Sequence, residues 1–307
     1  MYKISFLILF FSSIFTFAQN NNCNSIFWKS AQTLKDEKFR LERSNSKIKQ
    51  STFSTAEYKN NKPSKKTGIN SINEYNKEGF LVKEIQYNKE DTTITSHKYN
   101  NNNDIVLTVN ENPDSSLINK FEYIFENCFN YKIIEYKANG NVNNTYYQYY
   151  KEGALIKRRQ FNMNNNLEKT TLFSNDSANR IILEEYFDKD SLFQGKIAYK
   201  YDKYNLIEKI NFDKKNRIES KTVYKFDSTN NEIEALILNE NGSLKEKTIK
   251  EYYDNGKVKS ITKYNSTNQI EHIYKYFLNA EGLIDKAQTF YIADKPTYEH
   301  YYKYEYF

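Results

Sequence analysis

From about residue 70 onward, polar and apolar positions alternate in short runs, as in strands with one face against a core. Ile197, Tyr199 and Tyr201 fall on one side of such a run, and Lys196, Ala198 and Lys200 on the other. Thr222, Tyr224 and Phe226 repeat the arrangement against Lys221 and Lys225. The pattern predicts strands with a tyrosine-rich face and a lysine- and glutamate-rich face. Tyrosine rather than leucine predicts a thin core whose hydroxyls reach water.

Each run ends in one recurring phrase: an aromatic, then Asp or Asn, about two free residues, Gly or Asn, one free residue, then Leu, Ile or Val. The stretch Tyr252 to Phe277 holds it twice, as Tyr253-Asp254-x-Gly256-x-Val258 and Tyr264-Asn265-x-x-Asn268-x-Ile270. Asp or Asn early in a turn bonds the backbone two residues on, and the later Gly or Asn tolerates positive φ. Gly79, Asn103, Gly140, Gly153, Asn165, Asn179, Asn216, Asn231, Gly242, Gly256, Asn268 and Gly282 fill that slot. Six of the eight glycines are used this way, so they are turn chemistry rather than a phosphate cradle.

From Asn231 the slots advance by 11, 14, 12 and 14 residues. Turns of three to five residues then leave about eight residues per strand, and such short links join only antiparallel neighbours. The expected fold is all-β: an antiparallel up-and-down meander of about 18 short strands, built from a two-strand unit of about 25 residues. A coiled, open, single-layer repeat sheet is the first expectation and a closed β shell the alternative.

The beginning of the chain differs. Lys3, the apolar run Ile4 to Phe15 and the small-residue site Thr16-Phe17-Ala18 form a signal peptide over residues 1–18. Export follows, to the periplasm, the cell surface or the medium, with no transmembrane segment after cleavage. Residues 19–68 are expected to form an N-terminal cap and basic loop, and 69–307 the repeat domain. Within the cap, Ser25 to Ser44 suits a short helix with Ile26, Phe27, Ala31 and Leu34 on one stripe, and Trp28 suits a core anchor. Phe39 and Leu41 alternate, which also suits a strand.

The formal charge is +6 with both signs interspersed, which argues against a nucleic-acid partner. Lys157-Arg158-Arg159 is dense, but a strand divides it between two faces. His97, His272 and His300 are scattered and give no metal centre. Glu184 and Glu185 alternate across the sheet and cannot act on one bond. No P-loop, G-x-S-x-G or H-E-x-x-H occurs, so no catalytic residue, cofactor or metal site is assigned. Cys23 and Cys128 are candidates for a disulfide in an oxidising compartment, closing about 105 residues for roughly 4–5 kcal/mol; two free thiols are the alternative.

The phrases YDNGKV, FDKKNRI, YNKEGFL and FDSTNNEI resemble the tyrosine-aspartate (YD) repeats of the RHS superfamily. Tyr252 to Lys257 is also similar to the MORN-variant repeats of small exported bacterial proteins. The resemblance covers about residues 70–307 and implies a β-repeat architecture. RHS proteins resemble toxin-delivery shells with a proline- and aspartate-marked core motif and a variable toxin domain, neither of which this chain shows. The expected function is an exported, non-catalytic binding or scaffold protein of the cell envelope, with a protein or polysaccharide partner. The alternatives are a toxin-associated or immunity component, as the resemblance allows, and a glycan-acting enzyme with a site built across strands.

Overall fold

In Phe212-Asp213-Lys214-Lys215-Asn216-Arg217-Ile218 the turn phrase folds as its chemistry predicts. Asp213 Oδ1 accepts from the backbone N–H groups of Lys215 (2.8 Å) and Arg217 (2.9 Å), holding the turn from within. Asn216 takes φ 61°, and its N–H closes the turn onto the Asp213 carbonyl at 2.9 Å. Phe212 and Ile218, the two ends of the phrase, lie opposite each other across the hairpin, with a bulge one residue further in. Tyr75 with Leu81, Tyr99 with Ile105, Tyr136 with Val142 and Tyr264 with Ile270 repeat this pairing. The recurring aromatic and aliphatic residues are therefore cross-strand partners.

The computed structural model describes residues 31–59, 62–64, 67–88, 91–126, 129–203, 205–291 and 295–307. One helix, α1 (Ala31–Asn45), precedes β1 (Ile48–Lys59), β2 (Lys62–Pro63), β3 (Gly68–Tyr75), β4 (Leu81–Tyr87), β5 (Thr92–Tyr99), β6 (Ile105–Glu111) and β7 (Leu117–Glu126). The middle of the chain forms β8 (Phe129–Lys137), β9 (Val142–Lys151), β10 (Ala154–Asn162), β11 (Leu167–Asn175), β12 (Ile181–Asp188), β13 (Phe193–Asp202) and β14 (Asn205–Phe212). The rest forms β15 (Ile218–Phe226), β16 (Glu232–Asn239), β17 (Leu244–Tyr252), β18 (Val258–Tyr264), β19 (Ile270–Leu278), β20 (Ile284–Tyr291) and β21 (Tyr298–Tyr306).

From β3 onward each strand pairs antiparallel with the next, and β1 pairs with β3 on one side and β21 on the other. Twenty strands thus close into one up-and-down barrel, while β2 pairs only with the end of β1. This corrects the open sheet expected first: β21 does not end as an edge, because β1 satisfies its backbone groups. The shell kept as the alternative is the fold observed. It also corrects the cap, since residues 48–59 are a stave of the barrel. At about 4.8 Å per strand and a usual barrel tilt, a round barrel of this size is on the order of 30–40 Å across.

Two turn assignments shift. The positive-φ residue of FDSTNNEI is Asn230 (φ 63°), not Asn231, and Phe226 pairs with Glu232. The aromatic paired with Val258 is Tyr252, not Tyr253. Ser115 and Ser191 join the Gly and Asn residues in the positive-φ slot. The signal peptide, Trp28 and both cysteines lie outside the described residues.

Following the registers around the barrel gives every strand one inner and one outer face. The face holding Tyr99, Tyr199, Tyr224 and Tyr302 is the less exposed and lines the concave side, where converging side chains shield one another. Buried apolar residues are few among those described: Ile48, Ala56, Ala154, Leu155, Phe173, Leu283 and Ala287. The strands in extended contact are all neighbours, so the wall itself carries the packing.

The seam between β21 and β1 is reinforced on its inner side by a row of polar groups. Thr55 Oγ1 donates to Asn70 Oδ1 (2.6 Å) and therefore accepts from His300 Nδ1 at 2.8 Å. That tautomer leaves His300 Nε2 to accept from Thr289 Oγ1, also at 2.8 Å. The row joins β20, β21, β1 and β3. Phe53 stacks on the imidazole at 5.3 Å.

Helix α1 lies over the mouth on the same stretch of wall, and among its described side chains polar residues make the docking contacts. Arg40 Nη1 donates to the Glu78 carbonyl (2.7 Å), Arg43 Nε to that of Gly79 (3.0 Å) and Ser44 Oγ to that of Lys77 (2.8 Å), all on the β3–β4 turn. On the other side of the seam, Lys38 Nζ donates to the Asn255 carbonyl (3.1 Å) and Glu42 pairs with Lys257 at 2.6 Å, both on the β17–β18 turn. Arg43 stands 4.9 Å from the centre of the Tyr75 ring. Six strand positions separate the two turns, and α1 bridges them.

Burial lowers the His300 pKa from 6.5 to about 4, against the pull of Glu299. The unfolded chain takes up this proton near 6.5 while the folded chain resists it to about 4. The stabilising difference is therefore complete above 6.5 and is lost as pH falls through that window, about 3 kcal/mol in all. Urea melts from pH 7 to 4.5 should show the fall, and His300→Gln should remove its share, leaving that of His97 and His272, which burial also lowers. An unchanged slope would remove His300 from the seam. The Gly79 position separates turn chemistry from docking. Both Gly79 and Gly242 sit at φ near 80°, but a Cβ on Gly79 would strike the backbone of Arg40, whereas Gly242 faces open space. Gly242→Asn should leave the melting temperature nearly unchanged, and Gly79→Asn should lower it by several degrees.

Candidate functional site

The inner wall carries a row of residues that repeats around the barrel. At the α1 end, Tyr75, Tyr99, Phe125, Tyr150, Asn175, Tyr201, Phe226, Tyr252, Leu278 and Tyr304 recur at steps of 24 to 26 residues, once per two-strand unit. The spacing is that of the two-strand unit of about 25 residues. Four of the tyrosines among them share a task. Tyr99 donates to the Leu81 carbonyl (2.7 Å), Tyr201 to Ile181 (3.0 Å), Tyr252 to Glu232 (2.7 Å) and Tyr304 to Ile284 (2.6 Å). Each acceptor begins an even-numbered strand, and the ladder with the following strand starts only two residues further in, at Lys83, Leu183, Glu234 and Lys286. The hydroxyl replaces the missing ladder bond. A buried carbonyl left bare costs about 1–3 kcal/mol.

Further in, the wall carries a polar sector on β8 to β13. Glu184 accepts from Tyr186 (2.7 Å) and Tyr199 (2.8 Å). Burial and then the Glu184 charge push the Tyr199 phenol far above its usual range, so it remains a donor. Glu135 accepts from Asn143 (2.8 Å), Asn144 (2.8 Å) and Tyr146 (3.1 Å). Between the two glutamates, Arg158 Nη2 donates to the buried Gln148 Oε1 at 2.9 Å. Desolvation lowers the Arg158 pKa, partly offset by the nearby Tyr150 and Glu184. Tyr146 and Tyr150 are raised to about 12, burial being the first cause in both. The result is a wall of neutral hydroxyl and amide groups with a few partnered charges. It suits reversible polar contact.

The residues singled out from sequence are not brought together. Glu184 faces inward and Glu185 outward, as the alternation required. Lys157 and Arg159 face outward and Arg158 inward. His97 bonds Thr108 at 3.0 Å, His272 packs edge-on to Tyr291 at 4.5 Å, and His300 belongs to the seam. Among the described residues no three His, Cys, Asp or Glu side chains converge as a metal site would need.

No protein-family model matches the chain, and no curated protein sequence matches it. Among solved structures it is similar to a porin-like protein from Bacteroides uniformis ATCC 8492, with a TM-score of 0.38 and 12% identity over 85% of this chain and 97% of that one. A porin-like protein from Bacteroides vulgatus ATCC 8482 gives 0.28 and 10%, over 84% of this chain and 98% of that one. The Photorhabdus luminescens Tc holotoxin pore gives 0.31 and 11%, over 78% of this chain and 16% of that one. At these TM-scores the backbones do not superpose as one fold.

Proposed function

We propose that the protein is an exported, non-catalytic binding or scaffold barrel of the cell envelope, standing in water and taking a protein or polysaccharide partner. The observation that carries this is the outer wall. A barrel in a bilayer needs an outward apolar band about 25 Å tall, and a Lys or Arg at its midplane costs about 2–4 kcal/mol. Here Lys196, Lys200, Glu208, Lys221, Lys225 and Glu234 project outward on four successive strands. Lys221 pairs with Glu208 at 2.6 Å and Lys225 with Glu234 at 2.7 Å. Such a wall belongs in water.

The inner wall supports the binding half of the proposal. Its glutamates are tied to tyrosine and asparagine donors, which favours recognition over proton transfer. The resemblance to YD repeats remains part of this reading as a source of the architecture, not of an activity.

Cell fractionation tests it. The tagged full-length protein should leave with the osmotic-shock fluid or the medium, or wash from the cell surface with salt, and should stay monodisperse without detergent. Recovery only from detergent-extracted membranes would overturn the water-standing barrel.

A further inference from the structure

The outward cations of this barrel are not all treated alike. On β7, β15 and the β3–β4 hairpin they are answered by carboxylates: Lys120 with Glu122 (2.8 Å), Lys221 with Glu208 (2.6 Å), Lys225 with Glu234 (2.7 Å) and Lys83 with Glu74 (3.9 Å). On β8 to β10 they are not. Lys132, Lys157 and Arg159 project outward there, and among the described residues none of them has a carboxylate within ion-pair distance.

These three cations sit over two outward tyrosines instead. Lys157 Nζ lies 4.7 Å from the centre of the Tyr149 ring and the Arg159 guanidinium 6.0 Å from it, while Lys132 Nζ lies 5.4 Å from the Tyr147 ring. Tyr149 is 37% exposed. The Arg159 Nε is buried with no hydrogen-bond partner. The mid-strand outward positions of β9, β10 and β11 are Tyr147, Tyr149, Lys157, Arg159, Thr170 and Leu172, with no carboxylate among them. The first outward carboxylate beyond is Glu185 on β12, two strands from Lys157.

We propose that this outer face of β8 to β11 binds an acidic polysaccharide. Three cations held in place by aromatic rings, without an internal counter-ion, match a chain of regularly spaced carboxylate or sulfate groups. A cation–π contact fixes the ammonium or guanidinium without neutralising it, so its charge stays available to a ligand. Arg159 presents a guanidinium fork suited to bidentate pairing with such an anion. The same feature speaks against single-stranded nucleic acid. Base stacking needs free aromatic faces, and here cations already lie over both rings.

The inference rests on the outer wall facing water. Loss of polymer binding alone would leave that reading standing, whereas recovery only from membranes would remove both.

The test uses the mature full-length protein with sodium polygalacturonate and dextran sulfate as acidic probes, neutral dextran as a blank and a 20-nucleotide oligo-dT as competitor. Binding is read by biolayer interferometry at 50 and 300 mM salt. Either acidic polymer should bind, more weakly at the higher salt, and neutral dextran should not. The double variant K157Q/R159Q should weaken binding at least tenfold. The charge-matched control K221Q/K225Q, which removes paired lysines, should change it less than twofold. K157R/R159K should retain binding, and thermal melts should show all three variants folded. No binding of either polymer, an equal loss in the control, or tighter binding of oligo-dT than of the glycans would each overturn the proposal.

Discussion

The structure depends on one pairing, between the first long strand and the last. Every other strand finds its partner across a short turn, but β1 and β21 meet with about 240 residues of chain between them. Without that ladder, β21 and β3 would each present an open row of backbone donors and acceptors to other chains. Closing a loop of that length has an entropic cost that rises only slowly with length. A nine-residue register of pairs, the polar row through His300 and the α1 bridge offset it together. The pairing runs on past β21, since the Phe307 N–H donates to the Lys47 carbonyl at 2.9 Å.

Closure also decides which residue types each face can use. On the concave side, side chains converge, and tyrosine covers backbone with its ring while its hydroxyl ends in a polar environment. On the convex side they diverge, and long lysines and glutamates reach one another across neighbouring strands. Lys–aromatic contacts appear where a lysine lies opposite a ring, as with Lys196 and Phe212 or Lys247 and Tyr264. The sheet therefore holds together through its wall, hairpin by hairpin.

Much of that wall was legible in the sequence. The turn slots, the antiparallel order and the tyrosine face follow from local chemistry, because each is decided within one hairpin. Asn230 was missed for Asn231 because adjacent asparagines tolerate positive φ equally, and only the ladder selects between them. The closure was not legible. Residues 48–59 carry no turn phrase, and their partners lie at the far end of the chain. The docking of α1 escaped for a related reason: it uses Arg40, Arg43 and Ser44 against turn carbonyls, which no apolar stripe announces. For the candidate surfaces, sequence divided Lys157, Arg158 and Arg159 correctly between two faces. It did not reveal that Tyr149 stands beneath the outward pair.

A closed wall whose strands contact mainly their neighbours has a mixed mechanical character. Contacts run mainly between neighbours, so each hairpin adds its own increment, as in a repeat array. The seam removes the independence of the two ends, because β1 and β21 are stable as staves only together. Disturbance at any one turn is then local, but disturbance at the seam is shared by the whole ring. The two devices specific to this region, a buried neutral histidine and a helix held by charged side chains, both respond to the solvent outside: the first to acid, the second to salt. The part of the barrel that makes it a barrel is thus also the part most exposed to conditions in the compartment it occupies.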